Sequence, residues 1–122
     1  MQRILIFRPD GIVYERIVHG AIDEDLMFEG LGGNAEEVPW LDQFEKMNIV
    51  FLQNERAKLM KLEPTIRVVK NGILVDVICG NVLPVGIDED SYVGLKPFQV
   101  DYIMENIKTA VISLPSPFLT II

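Results

Sequence analysis

The dipeptide Asn71-Gly72 lies between two β-branched runs, residues 66–70 (IRVVK) and 73–78 (ILVDVI), and constrains the chain more than any other feature. A two-residue type I′ turn needs positive φ at both central positions, which Asn and Gly tolerate, and its twist matches that of paired strands. The segment is therefore predicted to be a β-hairpin. Pro9-Asp10-Gly11 predicts a second one, between residues 3–8 (RILIFR) and 12–18 (IVYERIV). Both turns force local antiparallel pairing.

The remaining segments fill in around these hairpins. Residues 48–52 (NIVFL) read as a buried strand. Residues 36–41 (EEVPWL) read as an edge strand, because Pro39 cannot donate to a ladder. Residues 82–87 (VLPVGI) read as a strand that Pro84 and Gly86 mark as bulged or at an edge. Residues 54–62 (NERAKLMKL) are polar and basic and read as a loop or one helical turn. Residues 23–29 read as a short helix capped by Asp23, stapled by Ile22 and Met27, and ended by Gly30, Gly32 and Gly33. Residues 97–108 (PFQVDYIMENIK) read as a second helix, with Pro97 at its first position and Val100, Ile103, Met104 and Ile107 on one face. Leu95 and Val100 are placed for a staple, and Gln99 for half of a capping box that Lys96 leaves incomplete. The expected fold class is α+β, a mostly antiparallel sheet of about five to seven strands with two helices packed on it.

Composition narrows the function. The chain has 122 residues, enough for a single domain with a real core, and its 49% apolar content is not that of a disordered chain. Eighteen acidic against 11 basic residues give a net charge of −7, which argues against binding a nucleic-acid backbone. One Cys forms no internal disulfide, and one His with one Cys makes no nitrogen–sulfur metal cluster. No apolar run reaches the length of about 18 residues that a transmembrane helix needs, so no membrane role is expected. The N-terminus lacks the long apolar stretch of a signal peptide, so Met1 is expected to begin the mature domain in a reducing cytoplasm. Phosphate-binding loops, dinucleotide fingerprints, His-Glu-x-x-His, Cys-x-x-Cys and Gly-x-Ser-x-Gly are all missing.

The mean hydropathy of +0.27 is high for a small monomer and points to a homo-oligomer, most simply a dimer. The tail, residues 110–122 (AVISLPSPFLTII), is apolar and broken by Pro115 and Pro117. It reads either as a last strand folded back on the domain or as an arm packed on a second subunit.

Several residues invite a chemical role. His19 at a strand end has no second His to share a metal. Cys79 in an apolar strand reads as a core thiol. Asp88-Glu89-Asp90 lacks the ligand spacing of a calcium loop and reads as a solvated turn. Arg56, Lys58 and Lys61, with Arg67 and Lys70, form the one basic cluster and are candidates to hold a phosphate or nucleotide, or are simply a solvated face. Trp40 beside Pro39 is a candidate base-stacking or anchor residue, or the edge of a core.

The order of several short motifs resembles a known family. Gly33-Asn34-Ala35-Glu36-Glu37-Val38-Pro39 is followed by the strand at 48–52 and by Asn54-Glu55. Leu62-Glu63-Pro64 comes next, then Ile78-Cys79-Gly80-Asn81-Val82-Leu83-Pro84-Val85-Gly86, then Leu95 and Gln99. This succession, from Met1 to about Lys108, resembles the DUF3846 family of small phage, plasmid and integrative-element proteins. Thr65 stands where the family often has Asn, and Lys96 where it has a Thr cap. The resemblance implies an accessory role inside a bacterial cell and carries over no catalytic residue, cofactor or metal. It singles out Glu36, Asn54 and Glu55 as polar positions, although an Asn turn bonded to backbone accounts for Asn54 equally well.

The expected function is non-enzymatic binding of a host protein, such as a defence or regulatory protein. The alternative is a small-ligand binder that sequesters a nucleotide signal, with Asn54, Glu55, Arg56, Lys58, Arg67, Trp40 and Glu36 as contacts. DNA mimicry by acidic residues is a third reading. A small enzyme with converging carboxylates at Glu36, Glu55, Asp76 and Asp88 is a fourth.

Overall fold

A computed structural model describes residues 2–39, 41–110 and 118–121. Six strands form the larger sheet: β1 (Gln2–Phe7), β2 (Val13–Val18), β3 (Ala35–Glu37), β4 (Ile49–Asn54), β7 (Val82–Asp88) and β8 (Ser91–Val93). Their order is β2-β1-β7-β4-β3, with β8 paired to β7. The smaller sheet has the order β6-β5-β10-β9, from β5 (Pro64–Lys70), β6 (Ile73–Cys79), β9 (Ile107–Ala110) and β10 (Phe118–Ile121). Helices α1 (Glu24–Leu31), α2 (Asp42–Glu45) and α3 (Pro97–Asn106) pack on them, so the molecule is α+β and mostly antiparallel.

The larger sheet is the middle layer, and this explains the unbroken apolar runs in its central strands, such as residues 49–52 of β4. Side chains alternate across a strand. In β4, Ile49 and Phe51 enter a core shared with the smaller sheet, α2 and α3, while Val50 and Leu52 enter a second core under α1. In β1, Leu5 and Phe7 join the first core, and Ile4 joins the second. Phe44 of α2 stands edge-on to both Phe51 and Tyr102 at centroid distances of 4.8 and 5.5 Å.

Both predicted hairpins form. Asn71 and Gly72 have φ of 52° and 77°, the two positive values of the type I′ turn. Asp23 caps α1 by accepting from the Leu26 N–H at 2.7 Å, and Ile22 and Met27 share a core. Gly32 ends α1 in the left-handed conformation, whereas Gly30 lies inside the helix.

Three further expectations need correction. The edge strand predicted at 36–41 is limited to β3, so Pro39 lies outside it. β7 is neither bulged nor at an edge but lies between β1 and β4. Pro84 is tolerated there because Ile87 donates to the Asn48 carbonyl, and alternation down the antiparallel ladder then turns the Pro84 nitrogen away from β4. On that other side β7 pairs with β1 at Val82 and with β8 from Gly86 onward, so the missing donor falls in the changeover. The second helix stops at Asn106 and gives way to β9, and Met104 is exposed on it. In the tail, Phe118–Ile121 runs parallel to β5 and antiparallel to β9 of the same chain, while residues 111–117 and 122 lie outside the described residues.

Tyr92 ties β8 to the end of β3, its hydroxyl donating to Glu37 Oε2 at 2.6 Å. Burial, reinforced by that carboxylate acceptor, pushes the phenol up to about 12. A raised pKa means the unfolded chain loses this proton first. The contribution is therefore complete below about pH 10 and is lost as the pH rises towards about 12. Melting curves across that window are expected to fall more steeply for the wild type than for Tyr92→Phe; parallel curves would refute the coupling.

Candidate functional site

Asn54, 3% exposed, ends β4 and spends its side chain on the fold. Its Oδ1 accepts the Arg56 N–H at 2.9 Å, and its Nδ2 faces the Leu31 carbonyl at 3.4 Å, tying β4 to the end of α1. A Cβ on Gly33 would come within 2.7 Å of that Nδ2, so Gly33 is what lets the amide approach. The turn is thus an Asx turn, and Asn54 has little left to offer a ligand. Glu55 accepts from Asn34 Nδ2 at 3.3 Å, and Arg56 is exposed beside it.

Lys58 reaches across to β6, its Nζ 2.8 Å from Asp76 Oδ1. That hydrogen bond holds the ammonium above its usual range. Burial likewise pushes the nearby Cys79 thiol up, the opposite of what a nucleophile needs. Glu36 is exposed on β3 opposite Gln53. Register pairs Val68 with Asp76 and Arg67 with Val77, which puts Arg67 on the other face of the smaller sheet from the Lys58–Asp76 pair. Asn54, Glu55, Arg56 and Lys58 therefore share one turn, but Arg67 does not join them. Trp40 lies outside the described residues. Among the described residues, no three His, Cys, Asp or Glu side chains gather as a metal site.

A groove that sequence reasoning missed lies on the α1 side of the larger sheet. It encloses about 490 Å³ and continues past Pro9, Glu29, Glu63 and Asn81 into a second hollow of about 420 Å³. The first hairpin builds it. Register pairs Ile4 with Arg16 and Ile6 with Tyr14, so these four side chains share the face on which α1 sits. Ile4 and Ile6 make an apolar floor, and Tyr14 and Arg16 make the wall on the sheet's edge strand. Leu26 and Glu29 of α1 face them, and Glu63 and Asn81 close one end. Asn81 is fixed there by its Nδ2 bond to the Gly30 carbonyl at 3.0 Å.

The two arginines differ. Arg8 is occupied: it bonds Tyr14 Oη at 2.9 Å, pairs with Asp10 at 2.7 Å and lies 5.2 Å from the Tyr14 ring centroid. Arg16 has no hydrogen-bond or ion-pair partner among the described residues. The groove thus offers an apolar floor and an aromatic ring for a flat group, a fork of N–H donors for an anion, and two carboxylates for hydroxyl or amino donors. One signal for it was present in the sequence: the hairpin register alone sets Tyr14 and Arg16 on a single face.

These features describe an α+β protein with an open groove of mixed charge at the edge of its main sheet. The chain belongs to the DUF3846 family: the family model for this domain of unknown function matches residues 1–108. No curated protein and no solved structure gives a significant match. The match ends inside β9, so β10 lies beyond it. Several residues that carried the resemblance prove to hold backbone. Asn54 and Asn81 bond carbonyls of α1, and Gln99 joins α3 to the turn before β4; Thr65, a departure from the family pattern, likewise donates to the Gly80 carbonyl. No helix among the described residues is long and apolar enough to cross a membrane, which says nothing about a β-barrel.

Proposed function

We propose that the protein is a non-enzymatic binding protein of a phage or other mobile element, acting inside a bacterial host, that captures a nucleotide-like anion in the groove beside β2. The observation that carries this reading is Arg16, a guanidinium without a partner among the described residues, set next to Tyr14 over an apolar floor. The volume of about 490 Å³ is in the range of small-molecule sites. A phosphate suits Arg16, a base suits Ile4, Ile6 and Tyr14, and ribose hydroxyls suit Glu29 and Glu63.

Calorimetric titration with mononucleotides and dinucleotides tests it. Saturable binding with a rise in melting temperature is expected; at 100-fold excess over Kd the stabilisation is about 2.7 kcal/mol. No binding of any nucleotide at about 1 mM, where even a weak complex worth about 4 kcal/mol registers, would overturn it. A second reading, docking of a host protein, draws on Leu59 and Met60, exposed side by side after β4. Loss of pull-down from host lysate on Leu59→Ser would support it.

A further inference from the structure

We infer that two copies pair through the free edges of β2 around an anionic dinucleotide, which joins their two grooves into one symmetric site. This rests on the groove reading above and adds a partner residue to it.

β2 ends the larger sheet. The backbone of Arg3 exchanges both hydrogen bonds with Leu95, so the Arg3–Ile17 pair of the β1–β2 ladder is one without hydrogen bonds. Alternation then points the N–H and C=O groups of Val13, Glu15 and Ile17 away from β1, out of the sheet. That edge carries no Pro or bulge, and Tyr14 and Ile17 are 51% and 53% exposed. Exposed edges without Pro or bulge are templates for another strand.

Symmetry limits how a second copy fits. Two identical edges pair antiparallel only about a two-fold axis normal to the sheet, so residues of like parity face each other. Centring on Glu15 would oppose two carboxylates, each bound to its own Arg3, and would set Arg16 against Tyr14 of the second copy, leaving no facing pair of guanidiniums for the ligand. Centring on Arg16 instead pairs Glu15 with Ile17 of the second copy and Tyr14 with Val18. It also places the two Arg16 side chains opposite each other on the groove face, with Cβ atoms about 4.5–5.5 Å apart. Two unneutralised guanidiniums at that distance repel, so the edges stay apart. Two phosphates placed between them turn the repulsion into charge-assisted hydrogen bonds. Each base then lies along the floor of its own groove. The second copy adds a second Arg16 to each groove, from the open side beyond β2.

Sedimentation velocity and calorimetry on the full chain test this, with cyclic di-AMP as probe and 5′-AMP as control. The chain alone is expected to sediment as a monomer, and as a dimer with cyclic di-AMP at one ligand per two chains. 5′-AMP is expected to bind without dimerising the chain. Ile17→Pro removes an outward N–H, and Glu15→Pro removes one together with the exposed Arg3–Glu15 ion pair; both are expected to prevent the dimer. On the wild type, the amides of Val13, Glu15 and Ile17 are expected to exchange at least tenfold more slowly with cyclic di-AMP present. One ligand bound per monomer, without association, would overturn the pairing and leave the groove reading standing. No binding of either probe would overturn both. A dimer with unprotected β2 amides would show that β2 is not the interface.

Discussion

Arg16→Glu is expected to weaken nucleotide binding about 100-fold or more while leaving the fold unchanged. A hydrogen bond between charged partners is worth about 1.5–3 kcal/mol, which is roughly tenfold to 100-fold in affinity. Reversal adds repulsion, because the new carboxylate joins Glu29 and Glu63 around an anionic ligand. Stability should hold within about 0.5 kcal/mol, since Arg16 is exposed and has no hydrogen-bond or ion-pair partner among the described residues. Arg16→Lys should fall between, keeping the charge but losing the planar fork. Calorimetry on the three proteins, with melting curves as the fold control, gives the answer. Equal affinities in all three would remove Arg16 from the site.

Gln99→Ala is expected to be the most damaging of the polar substitutions, at about 3 kcal/mol. The side chain is 4% exposed and fully engaged. Its Oε1 accepts the Lys96 N–H at 2.8 Å, and its Nε2 donates to the carbonyls of Met47 and Asn48 at 3.0 and 3.2 Å. It thereby joins the start of α3 to the turn before β4. Truncation removes all three bonds and leaves a hole against Gly86, whose added Cβ would lie 3.4 Å from Oε1. The expected fall in melting temperature is about 10 °C. Gln99→Glu separates hydrogen bonding from volume. At pH 7 a carboxylate would face two carbonyls, so this variant should be destabilised and should recover as the pH falls and the group protonates. A melting temperature within about 2 °C of wild type for Gln99→Ala, equivalent to well under 1 kcal/mol, would refute the role.

The sequence made the local elements legible because each has a local cause. Asn71-Gly72 dictates its turn through φ, Asp23 dictates a helix start through its side-chain oxygen, and 48–52 announces a two-faced burial by its unbroken apolar run. The position of β7 was not legible. Pro84 argues for an edge, and only the changeover from β1 to β8 on one side of the strand makes an interior place affordable. The make-up of the second sheet was equally hidden, since it depends on β10 pairing with β5, with Leu119 set against Ile66.

The candidate site was less legible than the fold. The motifs singled out Glu36, Asn54 and Glu55, with a backbone-bonded Asn turn an equal reading of Asn54, and in the structure the side chains of Asn54, Asn81 and Gln99 bond backbone groups. The basic residues looked like a cluster in sequence, yet strand parity sends Lys58 and Arg67 to opposite faces. The groove draws on residues from 4 to 81, gathered from the first hairpin, α1 and the loops that hold Glu63 and Asn81. Only the hairpin part, Ile4, Ile6, Tyr14 and Arg16, could be read as neighbours, through the hairpin register.

The parallel pairing of β10 with β5 has a consequence for biosynthesis. During translation the β5–β6 hairpin leaves the ribosome long before β10 does. One side of β5 therefore waits unpaired while α3 and β9 are still being made. Parallel, non-local pairing closes slowly, because loop closure precedes any gain from the new contacts. The nascent protein thus carries a bare strand in its second sheet until β10 is synthesised, and this is the interval in which a chaperone has something to hold.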